Sequence, residues 1–206
     1  MGASTLFLDE QRLDRNRLLQ YVNEMQPSEH VALFYSTRED KRFILFSFLK
    51  AGLDSGGAGI YVATEETPNR VRQAMRTFGI DVDRFEKSEA LQVISVRGGY
   101  VVEGKFSVSK TMEFWKRLLA ELSAKGFKSV RVAAEMAYFF KNRLEKEAVK
   151  YEKTLGKRIG LPATAICAYN YNLVRRTAKR DFPVELIKAH GAVIFALPET
   201  GVVKSF

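Results

Sequence analysis

The chain is expected to fold as an α/β domain on a mostly parallel central sheet. Short apolar runs rich in β-branched residues recur along its length, helical patterns separate them, and turn or cap residues stand at the joins. Leu13, Leu18, Leu19, Val22 and Met25 recur at helical spacing, which predicts an N-terminal amphipathic helix ending near Gln26 and Pro27. Residues 1–27 are therefore expected to pack, on the domain or on a second subunit, beside a domain spanning 28–206. Val31 to Phe34, Gly59 to Ala63, Leu91 to Val96, Val130 to Ala134, Thr164 to Tyr169 and Ala192 to Leu197 read as strands. Phe43 to Leu49 reads as the start of a helix. Thr67 before Pro68 places a capping hydroxyl ahead of a proline at the first helical position, with Val71, Met75 and Phe78 on one face and Gly79 at the exit. Ser109 can cap a helix through Lys125, stopped by Gly126, and Asp181 with Pro183 can open a short helix ending near His190.

With 206 residues and 46% hydrophobic content, the chain can bury a substantial core as one compact domain without disulfides or a structural metal. Cys167 is the single cysteine, which excludes an internal disulfide framework. The first residues have no continuous apolar stretch of the secretory kind, and no run approaches the roughly 18 apolar residues of a membrane span. A cytoplasmic location with no membrane partner is the expectation. Net charge is +9, and Lys141 to Arg180 carries eleven basic residues against Glu145, Glu147 and Glu152, so +8 falls within that span. Such a span suits a polyanion such as nucleic acid, and equally a solvated amphipathic helix followed by a basic loop.

Between the first strand and its helix, Tyr35-Ser36-Thr37-Arg38-Glu39-Asp40-Lys41-Arg42 has the length of a Walker A loop. In G-x-x-x-x-G-K-[ST] the glycines let backbone N–H groups close on phosphates and the final hydroxyl binds magnesium. Here Tyr35, Asp40 and Arg42 stand in those places and the lysine alone fits, so MgATP hydrolysis is not expected.

Phe48-Leu49-Lys50-Ala51-Gly52-Leu53, the run from Gly59 to Pro68 through Thr64-Glu65-Glu66-Thr67, and Phe78-Gly79-Ile80-Asp81 resemble the first half of the KaiC branch of RecA-like ATPases. That resemblance implies a RecA/KaiC-like three-layer fold. It puts Lys41 at the Walker lysine, Glu65 and Glu66 at the glutamate pair that includes the water-activating one, and Glu135 at the Walker B acid, with Arg131 interrupting the apolar run. His30 and Tyr35 around the first strand, Glu135-Met136, Tyr151-Glu152, Cys167-x-Tyr169 and His190 resemble the MEDS domain. This is the sensory module of DcmR-type regulators, related to KaiC but without the Walker A loop. The resemblance covers roughly 28 to 200. It implies sensing of a small, hydrocarbon-derived ligand by a domain usually fused to a kinase or DNA-binding module, a fusion not expected within these 206 residues. RecA-like relatives form rings or filaments, so a homo-oligomer is also implied.

The candidate ligand pocket lies at the carboxyl end of the central strands, where open α/β sheets bind ligands. Its candidate residues are His30, Tyr35, Lys41, Glu65, Glu66, Arg97, Glu135, Tyr138, Tyr169 and His190. Glu65, Glu66 and Glu135 end adjacent strands and could share acid and base roles, hold a divalent ion, or be satisfied by neighbouring Arg or Lys. Tyr138 to Phe140 would set bulky apolar surface at the pocket mouth, which suits an apolar ligand. Arg97-Gly98-Gly99-Tyr100 and Glu103-Gly104-Lys105 read as a lid or a long connection. His30, Cys167 and His190 show no zinc-ligand spacing, and Cys167 reads as an inert thiol in an apolar strand, so no metal or cofactor is expected.

The expected function is a non-catalytic RecA/KaiC-like ligand-sensing or regulatory module. The alternative is a nucleic-acid-binding protein of the RecA-paralogue type, gripping a strand with Arg175, Arg176, Lys179 and Arg180 beside the stacking rings of Tyr169 and Tyr171.

Overall fold

The computed structural model describes residues 10–102, 104–177, 181–197 and 200–205. Among these the chain forms an eight-stranded sheet covered by helices on both faces. In chain order the first half comprises β1 (Glu10–Asp14), α1 (Arg15–Asn23), β2 (His30–Tyr35), α2 (Arg38–Asp54), β3 (Ala58–Ala63), α3 (Pro68–Phe78), α4 (Val82–Lys87) and β4 (Leu91–Ser95). A short helix α5 (Val96–Gly99) and the hairpin β5 (Val101–Val102) and β6 (Lys105–Phe106) lead to α6 (Val108–Ala124) and β7 (Val130–Glu135). The remainder is α7 (Ala137–Lys141), α8 (Glu145–Leu155), β8 (Thr164–Asn170), α9 (Tyr171–Thr177), α10 (Phe182–Ala189), β9 (Ala192–Leu197) and β10 (Thr200–Ser205). None of the helices among the described residues is long and apolar enough to cross a membrane.

The sheet runs β1-β10-β9-β2-β8-β7-β3-β4. Neighbours from β9 to β4 are parallel, and β10 and β1 add antiparallel strands at the β9 edge. β2, β3 and the first six residues of β8 are buried on both faces, as parallel strands sandwiched by helices must be, which is why they read as continuous apolar runs. Alternate residues feed separate cores. Leu33, Ala133, Ile166 and Ile194 face α1 to α4, while Ala32, Val132, Cys167 and Val193 face α6 to α10.

Four local expectations change. Leu13 lies in β1, not in the first helix, because Glu10 to Asp14 pair with Lys204 to Thr200; Asp14 then caps α1 by accepting from the Arg17 N–H. The helix ends at Asn23. Helix α2 begins at Arg38, since the Thr37 hydroxyl accepts from the Asp40 N–H, so most of the Walker-length stretch is helix rather than loop. Ser107, not Ser109, caps α6. The segment from Arg97 to Lys105, read as a lid or a long connection, forms the end of α5 and the β5–β6 hairpin; Glu103 lies outside the described residues. Helix α3 forms with Thr67 as its cap, Pro68 in its first turn and Gly79 left-handed at φ 94°.

Candidate functional site

Parallel pairing brings the carboxyl ends of β2, β3, β7 and β8 to one edge, and a cluster of ion pairs forms there. Early placement in α2 aims the Lys41 side chain back over the strand ends. Its ammonium, fully buried, donates to Glu65 Oε2 at 2.6 Å and Glu135 Oε1 at 2.5 Å. Glu135, the last residue of β7 and also fully buried, accepts further bonds from the Tyr61 hydroxyl at 2.7 Å and from the N–H groups of Thr64 and Glu65 at 2.6 and 2.7 Å. Glu65 Oε1 accepts from Asn170 at 3.1 Å. Burial alone would raise the Glu65 carboxyl; the charge and hydrogen bond of Lys41, with Tyr35 and Asn170, outweigh it and hold the group below the ordinary carboxylate value. The Tyr35 hydroxyl is buried beside Glu65, and burial followed by the charge and hydrogen bond of Glu65 pushes its ionisation far up. Glu66 turns away to Arg42, whose Nη2 contacts both carboxylate oxygens at 3.0 and 2.8 Å, and to Arg38 at 3.8 Å. Beside them opens a cleft of about 590 Å³ between α2 and α3, lined by Arg38, Arg42, Glu66 and Arg70 over Phe46 and Phe78.

His30, Tyr169 and His190 do not join this pocket. They lie on the opposite face of the sheet, because His30 shares the parity of Ala32 and Phe34, and Tyr169 that of Cys167. There they meet Glu152 of α8 in a second, fully buried polar cluster. Glu152 Oε2 lies 3.2 Å from His30 Nε2, 3.5 Å from His190 Nε2 and 3.7 Å from Cys167 Sγ, while Oε1 accepts from the Tyr169 hydroxyl at 2.5 Å. His30 Nε2 is 3.4 Å from Cys167 Sγ. The two rings stand 4.0 Å apart at 37°, and each Nδ1 is 2.7 Å from a backbone carbonyl, of Gly156 for His30 and of Leu186 for His190. Burial, then repulsion from His30, pulls the His190 imidazole down to about 4. Burial, then the charge of Glu152, pushes the Cys167 thiol well up. Burial would raise Glu152 too, but His190, His30 and Tyr169 together hold it below its ordinary value.

Other expected site residues separate from both clusters. Arg97 is exposed on α5 and Tyr138 half-buried on α7, while Phe139 and Phe140 are buried in the core and offer no apolar surface to a pocket mouth. Arg175 and Arg176 are exposed in the last turn of α9; Lys179 and Arg180 lie outside the described residues. Tyr169 is buried and cannot stack on a base, leaving Tyr171, 45% exposed, as the accessible ring. Glu152, like Tyr61 and Asn170 of the first cluster, is left out of the site by sequence reasoning. Its signal is there, since it shares the buried stripe of α8 with Ala148, Tyr151 and Leu155, where a carboxylate needs a partner. Cys167, expected inert among apolar neighbours, instead faces imidazole and carboxylate.

The architecture defines a RecA/KaiC-like α/β domain. It superposes on a KaiC-like protein from Pyrococcus horikoshii with a TM-score of 0.57, covering 83% of this chain and 72% of that one at 17% identity, a likeness of fold. The family model of the methanogen/methylotroph DcmR sensory domain, MEDS, matches residues 29–190, and the chain belongs to that family. Among curated proteins it resembles UPF0273 proteins of Thermotoga maritima, 36% identical, and of Pyrococcus furiosus, 31% identical. Each match covers 38% of this chain and 36% of the relative, so the chain spans about a third of the length of the relatives it matches.

Proposed function

We propose that the chain is a cytoplasmic, non-catalytic ligand-sensing module in which the ATP machinery of the RecA/KaiC-like fold has become structural. The observation that carries this reading is the state of Lys41. Its ammonium is buried, hydrogen-bonded to the carboxylates of Glu65 and Glu135, and held inside a helix that the Thr37 side chain caps. A γ-phosphate would have to displace two carboxylates to reach it, and Glu39 and Asp40 place further negative charge in the first turn of the same helix. The description of the family as a sensory domain supports the same reading.

The cleft between α2 and α3 supplies the receptor surface. Arg38, Arg42 and Arg70 outnumber Glu66 there, and Phe46 and Phe78 offer apolar floor, so a small organic anion with an aliphatic body suits it. The test pairs MgATP turnover with thermal shifts in a series of straight-chain carboxylates. No phosphate release and a stabilisation that grows with chain length and disappears in Arg70→Glu are expected. Phosphate release that Lys41→Met abolishes would overturn the non-catalytic assignment, and a flat response across the series would remove the cleft as receptor.

The second reading, nucleic-acid binding, rests on the exposure of Arg175 and Arg176. Anisotropy of a labelled single-stranded oligonucleotide at two salt concentrations separates the readings. Binding that weakens steeply with salt supports the second, and none is expected if sensing is the function.

A further inference from the structure

We propose that His30, Glu152, Cys167 and His190 bind a divalent transition-metal ion, with zinc the best-matched occupant. This site is distinct from the cleft between α2 and α3, and its test is independent of that reading.

Spacing is the first argument. Zinc binds nitrogen, oxygen and sulfur donors at roughly 2.0–2.3 Å, which sets the donors of a tetrahedral site about 3.3–3.8 Å apart. Four of the six donor pairs are 3.2, 3.4, 3.5 and 3.7 Å apart, and all six lie within 4.8 Å. An ion at their centre needs only small side-chain adjustments.

The outer contacts are those of a ligand set. Both Nδ1 atoms face backbone carbonyls, so each donates its proton there and leaves an Nε2 lone pair directed at the shared centre. Among the described residues His190 Nε2 is buried with no hydrogen-bond partner, only Glu152 Oε2 at 3.5 Å, an arrangement that costs free energy unless something else accepts the lone pair. The Tyr169 hydroxyl occupies Oε1 of Glu152, and Oε2 is the oxygen that faces both imidazoles and the thiol. The carboxylate is thus set for monodentate ligation.

Charge selects the ion. With Cys167 as thiolate and Glu152 as carboxylate, two neutral imidazoles and a divalent cation give a net charge of zero in a fully buried place. Sulfur and imidazole donors favour zinc and its neighbours over magnesium or calcium. Four protein ligands make a closed site, so the ion would clamp α8 and α10 onto β2 and β8 rather than activate water. A surface cavity of about 190 Å³ is lined by His30, Lys157 and Gly191 on the near side of the cluster.

The test uses the full chain, free of any affinity tag, expressed with added zinc and dialysed into metal-free buffer. Elemental analysis is expected to find equimolar zinc, and chelation should lower the melting temperature, with zinc restoring it. The cobalt-substituted protein should show the strong visible absorption of a four-coordinate site and a thiolate-to-cobalt charge-transfer band. Cys167→Ser should lose that band while its circular dichroism stays native. His190→Gln, with the thiolate intact, should keep the band but bind cobalt at least tenfold more weakly. Two results would overturn the assignment. One is wild-type protein that neither retains zinc nor takes up cobalt, which would leave a carboxylate held by protonated imidazole. The other is a cobalt spectrum unchanged in Cys167→Ser, which would place the ion elsewhere.

Discussion

Lys41 illustrates how little of a residue's role is written at its own position. The sequence puts a lysine where a phosphate-binding lysine belongs, yet the ends of β3 and β7 decide that its charge is spent on Glu65 and Glu135. Removing one partner of such a set strands buried charge. Lys41→Met should therefore cost about 3–5 kcal/mol in urea unfolding. Combining it with Glu65→Gln and Glu135→Gln should recover most of that loss, because a neutral, bonded cluster strands nothing. Glu65 gives the pH dependence. Its carboxyl lies below the ordinary value, so its contribution is complete above the unfolded-state value, roughly 4.3 for glutamate, and is lost as pH falls through the folded value. The urea midpoint should hold steady near neutrality and decline in acid below about pH 4, less steeply in Glu65→Gln. A decline of equal slope in both proteins would assign the acid sensitivity to other carboxylates.

At the scale of elements, legibility followed punctuation. Helix α3 is readable because Thr67, Pro68 and Gly79 mark both ends with local chemistry. Thr67→Ala should cost about 1 kcal/mol, measurable as a shift in the urea midpoint. The first residues of α2 are misread because the eight-residue spacing of a phosphate loop outweighs the cap that Thr37 supplies. The segment from Glu10 to Asp14 is misread because its hydrogen-bonding partner, β10, lies at the other end of the chain. Arg131, which interrupts an apolar run in the sequence, proves to be a fastening. Its guanidinium donates to the carbonyls of Val22, Asn23 and Phe48, tying the last turn of α1 to α2. Gly52 leaves the room that its side chain needs, since a Cβ there would stand 2.6 Å from Arg131 Cδ. Arg131→Met should speed hydrogen exchange of the α1 amides while leaving those of β2 and β8 protected. Unchanged exchange in α1 would show that apolar packing alone docks it.

For the whole molecule, the question is whether α1 and β1 unfold with the rest. Leu18 is buried against Gly201 of β10, where even a Cβ would approach its side chain to 2.7 Å. Trp115, the single tryptophan, is buried in the core on the other face of the sheet. Leu18→Ala should lower stability by about 2–5 kcal/mol, and the Trp115 fluorescence midpoint should move by the same amount if the domain unfolds as one unit. An unmoved Trp115 midpoint beside a lost helical signal would make the α1–β1 segment a separate unit. The sequence by itself determined the class of architecture, the six parallel strands and the family, because hydrophobic period, caps and short motifs act over a few residues and are legible there. Tertiary structure alone decided that His30 meets Cys167 across 137 positions, that Glu152 joins them, and that Lys41 reaches Glu135 across 94. Those meetings depend on strand order and on which face of the sheet each residue takes, and long-range pairing of this kind leaves no mark in any local stretch of chain.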